Sequence, residues 1–246
     1  ALWEDPVFSY GFAEAQASGF LKLHRVKSAR FEAPAVEDWR DMPDDVQGRE
    51  LIEAGVVDHT VAHMKSLRGR SGLVFTASID QAEATEYALK ADGWRATTLS
   101  HHTKLGQRSR TLKAFQAGEL DVICNPSLLT EGTDLPVTDF GVLARAFTSS
   151  VLTVQAVGRV MRLHCPGWQP TWGLMNRLDP RYLAAGGVEY ADIIDIAGAM
   201  QVHSLDVAPV LIDPEEREKG EAKKLAEPKP SEGMPLGWLF AERARV

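Results

Sequence analysis

The sequence predicts an α/β fold, a parallel β-sheet with helices on both faces, and three observations carry that prediction. From Leu73 onward, apolar runs of strand length alternate with stretches whose apolar residues recur every three or four positions. The central strand candidates are mostly continuous apolar runs, as strands buried on both faces tend to be. The helical stretches between them are long enough to be the crossovers that parallel pairing requires.

Residues 1–47 show no regular pattern. Arg49 to Leu67 then carries Leu51, Ile52, Val56, Val61, Met64 and Leu67 on roughly one helical face. Leu73-Val74-Phe75-Thr76-Ala77 reads as a buried strand. Gln81 to Ala91 sets Ala84, Tyr87, Ala88 and Ala91 at helical spacing, with Asp80 placed to cap the helix and Gly93 to stop it. Arg95 to Leu99 is a second strand, Leu105 to Ala117 a second helix ended by Gly118, and Asp121 to Cys124 a third strand. These are two successive βαβ units, expected to be right-handed. Phe140 to Ala144 is a fourth strand, Val151 to Arg162 a helix, Trp172 to Met175 a short strand candidate and Ala191 to Ile196 the last strand. Asp213 to Pro235, with Glu215-Glu216-Arg217-Glu218-Lys219 and Pro228-Lys229-Pro230, is too polar to build a core, and the short apolar end Leu236 to Phe240 follows it. The chain therefore divides into a lead-in (1–47), a core domain (48–198) and an extension (199–246).

At 246 residues and 44% hydrophobic composition, the chain can bury a substantial core. No run approaches the roughly 18 apolar residues of a membrane span. The acidic start Ala1-Leu2-Trp3-Glu4-Asp5 has no basic signal region. A cytoplasmic protein with no membrane partner is expected. Cys124 and Cys165 are too few for a disulfide framework and stand in no zinc-type pair, so they read as buried reduced thiols. His59 and His63 have metal spacing on a helix but no evident third ligand, so no metal is expected. The formal charge of -7 opposes a broad basic surface for nucleic acid. The surplus lies in the flanks, however: five basic residues against nine acidic in 1–45, thirteen against twelve in 46–165, and nine against thirteen in 166–246.

Two segments carry chemistry. In Gln155-Ala156-Val157-Gly158-Arg159-Val160-Met161-Arg162, the arginines stand three apart, on one helical face, beside a glycine that permits close approach. Two guanidiniums one turn apart can grip one polyphosphate, which suits charge stabilisation in phosphoryl transfer. A surface helix with two solvated arginines is the plainer reading of the same spacing. The second segment, Leu128-Leu129-Thr130-Glu131-Gly132-Thr133-Asp134-Leu135-Pro136, follows the third strand at the carboxyl edge of the sheet, where ligands bind in such folds.

Together these segments resemble superfamily II helicases and translocases, in the C-terminal of their two motor domains. Gln155 to Arg162 is similar to motif VI, Leu128 to Pro136 to motif V, Leu73 to Ser78 to motif IV, and Leu99-Ser100-His101-His102 to the segment between IV and V. Phe8 to Ala15 resembles the stretch leading out of the first motor domain in restriction-enzyme-type and repair-type members. Ala191 to Asp195 resembles their final strand. The resemblance implies a RecA-like fold. It casts Arg162 as the finger that reaches the γ-phosphate, Arg159 as a second phosphate contact or a link to the partner domain, and Gln155 as a residue lining the same cleft. Gly132 and Asp134 would meet the ribose and phosphate side of the nucleotide, and Thr130, Thr76, Ser78 and Ser100 the nucleic-acid backbone, with His101 bordering that groove.

The implied cofactors are ATP and Mg²⁺, and the implied partners are nucleic acid, DNA favoured over RNA, and a P-loop motor domain in the same or another chain. Asn125-Pro126 departs from the small residue and threonine common before motif V. The chain contains neither G-x-x-x-x-G-K-[ST] nor D-E-x-[HD], so the nucleotide would be held mainly by that P-loop domain and this chain alone should be inactive. The competing expectation is a non-enzymatic nucleic-acid-binding or regulatory module derived from a motor domain. A dinucleotide-binding oxidoreductase is disfavoured, because no G-x-G-x-x-G follows the first strand.

Overall fold

A computed structural model of the chain describes residues 12–29, 42–126, 137–147, 149–165 and 176–202. Its sheet has six strands, β1 (Leu23–Ser28), β2 (Gly72–Phe75), β3 (Ala96–Thr98), β4 (Val122–Asn125), β5 (Phe140–Leu143) and β6 (Tyr190–Asp195), in the order β1-β6-β5-β2-β4-β3. All five pairings are parallel. The helices are α1 (Phe12–Ala17), α2 (Asp44–Glu53), α3 (Val56–Met64), α4 (Ile79–Ala91), α5 (Leu105–Gln116), α6 (Ser150–Val160), α7 (Pro180–Ala184) and α8 (Ala199–Val202). This is the parallel α/β arrangement that the alternation of elements predicts, and it agrees with the RecA-like fold that the resemblance implies. Among the described residues, no helix is long and apolar enough to cross a membrane.

Strand alternation divides the apolar runs between two cores. Val74, Val122, Cys124, Phe140, Val142 and Ile194 pack with Leu51, Val56, Met64 and Leu89 of α2, α3 and α4. Leu73, Phe75, Ile123, Leu143 and Ile193 pack on the opposite face with Phe115 of α5 and Ala156, Val157 and Val160 of α6. The path from β2 to β3 and the return from β3 to β4 run in opposite directions along the sheet. Right-handed crossovers therefore send α4 to one face and α5 to the other. Each fully buried Leu, Val or Phe contributes about 1.5–3 kcal/mol.

Four local features differ from the sequence reading. The helix expected over Arg49 to Leu67 is two helices, because Gly55 takes the left-handed φ of 90° between α2 and α3. The cap of α4 is Ser78, whose Oγ accepts the Gln81 N–H at 3.1 Å, while Asp80 lies in the first turn. The helix expected to run to Arg162 ends at Val160. Leu23–Ser28, inside the expected lead-in, is a sheet strand paired with β6, so the sheet reaches outside 48–198. Trp172 to Met175 and residues 203–246 lie outside the described residues.

Candidate functional site

At the carboxyl edge of the sheet, the turns after β2, β4 and β5 are bolted together by buried polar side chains. Gln81 of α4 is fully buried; its Oε1 accepts the Ala77 N–H at 2.8 Å and its Nε2 donates to the Ala144 carbonyl at 2.7 Å. Asn125, at the end of β4, donates from Nδ2 to the Leu99 carbonyl at 2.6 Å and ties β4 to β3. This is a structural use for the residue that departs from the family pattern. Arg145, just after β5, donates to the Pro126 carbonyl at 3.2 Å and to Asp44 of α2 at 2.7 Å, while its guanidinium lies over Phe147. Sequence reading passed over Arg145 and Gln81. The signal for Arg145 was its isolation as a charge within Leu143-Ala144-Arg145-Ala146-Phe147.

The hydroxyls expected to meet a nucleic-acid backbone sit at this same edge. Thr76 is fully buried and donates to the Ser78 carbonyl at 3.2 Å, so its hydroxyl is turned into the fold. Ser78 is nearly buried and serves as the α4 cap. A Cβ on Gly48 of α2 would stand 2.0 Å from Ser78 Oγ, so only glycine lets α2 approach this turn. Ser100 accepts the His102 N–H on its Oγ, and its carbonyl accepts from Arg108 of α5. That turn leaves His101 and His102 exposed, their rings 4.0 Å apart. Of the five expected contacts, His101 is the one whose side chain is openly presented among the described residues. Thr130, Gly132 and Asp134 lie outside the described residues.

The arginines lie at the other end of the strands. Helix α6 begins at the carboxyl edge, where Ser149 caps it, and runs back antiparallel to β5. Its last turn reaches the residues that precede β5: the Thr138 hydroxyl donates to the Arg159 carbonyl at 3.1 Å. Gln155 is exposed and one turn before Arg159 on the same face. Arg162 is past the helix end and forms an antiparallel bridge with Leu21. Arg159 and Arg162 are thus neighbours at the amino edge, both partly exposed, but they do not share a helical face as their spacing suggests. The site residues therefore form two groups, separated by the length of the strands.

Behind the arginines is a polar network that sequence reading missed. Lys22 is fully buried, and its ammonium donates to the Thr138 carbonyl at 2.6 Å and reaches Asp139 at 3.4 Å. Burial pulls the Lys22 pKa below the usual lysine value against the opposing pull of Asp139. Gln16 donates to the Lys22 carbonyl at 3.0 Å and bonds His24 Nδ1 at 2.9 Å, and burial lowers the His24 pKa to about 4. On the opposite face, burial raises the Cys124 thiol; both cysteines are free and buried.

Comparison with known proteins bears on the central part of the chain. Residues 55–164, which hold α3 to α6 and both arginines, match the helicase conserved C-terminal domain. Over these residues the chain is similar to the helicase C-terminal domain family. A protein of Saccharomyces cerevisiae assigned as the ATP-dependent helicase IRC3 is 28% identical over 168 residues, 64% of this chain and 24% of that protein. The ATP-dependent rRNA helicase RRP3 of Candida albicans is 24% identical over 156 residues, 63% of this chain and 29% of that protein. The chain thus spans about a quarter of the length of these curated relatives. A fragment assigned as the HsdR subunit of a type I restriction enzyme from Vibrio vulnificus superposes with a TM-score of 0.58 at 21% identity, covering 81% of this chain and 37% of that one. That likeness is one of fold. The helicase C-terminal domain accordingly occupies the centre of the chain, with β1 and β6 completing its sheet outside the matched residues.

Proposed function

We propose that this chain is the C-terminal half of an ATP-dependent nucleic-acid helicase or translocase, supplying arginine fingers and part of the strand-binding groove. The supporting observation is that the matched helicase C-terminal domain, residues 55–164, includes Arg159 and Arg162 at one edge of the sheet, with Gln155 one turn before Arg159 on α6, and Ser78, Ser100 and His101 at the other edge. In this reading Arg159 and Arg162 fit one flank of a polyphosphate. Because the sequence holds neither G-x-x-x-x-G-K-[ST] nor D-E-x-[HD], ATP and Mg²⁺ are proposed to be held mainly by a P-loop motor domain, with this chain closing the cleft. When bound, the nucleotide supplies the phosphoryl group that is transferred to water. Arg162 presents a planar fork to the charge that develops there, and Gly132 and Asp134 contribute from the motif V side.

DNA is favoured over RNA as the track, on the similarity of the lead-in to restriction-enzyme-type and repair-type members. Its backbone would be met by hydroxyl and N–H groups of Thr130, Ser78 and Ser100, contacts that hold phosphates without many lysines. The second reading, a non-enzymatic nucleic-acid-binding or regulatory module, is disfavoured because a binder without an ATP cycle leaves the arginine pair without a task.

The deciding experiment is steady-state ATP hydrolysis by the complete two-domain protein, with saturating DNA or RNA. Arg162→Lys keeps the charge and loses the bidentate geometry, so kcat should fall roughly 10² to 10⁴-fold, about 3–5 kcal/mol, with nucleic-acid affinity nearly unchanged. A wild-type kcat would remove Arg162 from the nucleotide site and leave the binding-module reading in place.

A further inference from the structure

The backbone that carries the arginines is tied to the chain entering β1 and to the chain entering β5. Lys22 donates its main-chain N–H to the Met161 carbonyl at 2.8 Å, and Leu21 bridges Arg162. The Lys22 ammonium donates to the Thr138 carbonyl, whose own side chain donates to the Arg159 carbonyl. Residues 159, 161 and 162 are thereby tied to Leu21-Lys22 and to Thr138, and Lys22 joins those two points to each other.

The Leu21-Lys22 segment is itself anchored. Arg177, 8% exposed, donates from Nε to the Leu21 carbonyl at 3.3 Å and from Nη2 to the Gln16 carbonyl at 2.9 Å. Gln16, 4% exposed, donates to the Lys22 carbonyl. A lysine with no exposed surface is an expensive choice for a strand end, because an ammonium gives up its water unless its protons find partners. Methionine would fill the same volume. What the ammonium adds is a directional hold across the amino edge, between the chain entering β1 and the chain entering β5.

We infer that Lys22 is a positioning residue for Arg159 and Arg162, and that the segment of residues 14–22 sets where the two arginines stand. A displacement of the chain on the N-terminal side of β1 then reaches the arginines without passing through the sheet. The functional half of this inference rests on the proposal that the arginines face a nucleotide; the geometric half does not.

The test uses Lys22→Met and Thr138→Val in the 246-residue chain and in the complete motor. Amide hydrogen exchange is read at residues 159–163 and compared with residues 72–75 and 122–125 in β2 and β4. For Lys22→Met, exchange at 159–163 should rise at least about tenfold while the β2 and β4 amides stay within about twofold, the pattern of local opening. Thr138→Val, which removes one hydroxyl and little volume, should raise exchange selectively at the end of α6, and it keeps the inference testable if Lys22→Met does not fold. A uniform change, or none, in both variants overturns it. In the complete motor, Lys22→Met should lower kcat about tenfold at unchanged KM for ATP. If Arg162→Lys lowers kcat and Lys22→Met does not, the inference fails and the proposed function stands. If Arg162→Lys leaves kcat unchanged while exchange at 159–163 rises selectively, the proposed function fails and the tie through Lys22 stands.

Discussion

Gln81 and Ala144, 63 residues apart in sequence, are joined by a 2.7 Å hydrogen bond from a fully buried amide to a main-chain carbonyl. With the Ala77 N–H on its other end, Gln81 is the bolt between the turns after β2 and β5. Gln81→Leu keeps the volume and orphans both main-chain groups. At about 1–3 kcal/mol for each unsatisfied buried group, the loss should be roughly 2–6 kcal/mol in urea unfolding. A loss under 1 kcal/mol would show that water reaches this edge.

Gly48→Ala should destabilise by about 1–3 kcal/mol, because the new methyl would meet Ser78 Oγ at 2.0 Å and Cβ at 2.5 Å. Ser78→Gly removes both of those atoms and costs little as a cap, since glycine is a tolerated N-cap. The double variant should therefore be more stable than Gly48→Ala alone, a positive coupling measurable in a thermal-melt cycle. Simple additivity would mean that α2 moves away and Ser78 stays.

The pH dependence of stability should carry the mark of His24. Its imidazole is 3% exposed and accepts from Gln16 in the neutral form, with a pKa near 4 in the fold against 6.5 unfolded. Below pH 6.5 the unfolded chain takes up a proton that the folded chain refuses. Stability should fall by about 3 kcal/mol as pH drops from 6.5 to 4 and then level off for this group. His24→Gln should flatten that part of the curve relative to the parent; an unchanged slope would assign the loss to other groups.

The chain by itself should show no measurable ATP hydrolysis with or without nucleic acid, because G-x-x-x-x-G-K-[ST] is absent from its sequence. Nucleic-acid-stimulated turnover by the purified 246-residue chain would contradict its reading as half of a motor.

What the sequence made readable follows from burial. β2, β4 and β5 are buried at every position, and continuous apolar runs such as Leu73-Val74-Phe75 announce them. β1 was missed because it is an edge strand: Leu-His-Arg-Val-Lys-Ser leaves Arg25, Lys27 and Ser28 exposed and has no apolar run. The break at Gly55 was missed because the apolar period continues across it, whereas a positive φ leaves no trace in periodicity. Arg162 continued a spacing of three, but its position is decided by a bridge to Leu21, 141 positions away by numbering. Thr76 had the chemistry of a phosphate ligand, yet a neighbouring main-chain carbonyl takes its hydroxyl.

The division of the site between two edges also limits how its halves can influence each other. Four residues of β2, at about 3.3 Å each, make a strut of about 13 Å between the Ser78 turn and the residues around Arg159. That span exceeds the roughly 8 Å over which exposed charges feel one another at physiological salt. A charge arriving at one edge is therefore largely screened through solvent at the other, which leaves the packed plate of the sheet as the direct physical link between them. Core changes that soften the plate, such as replacing Phe140 where it packs over Gly72, would uncouple the two ends while leaving every residue at either end in place.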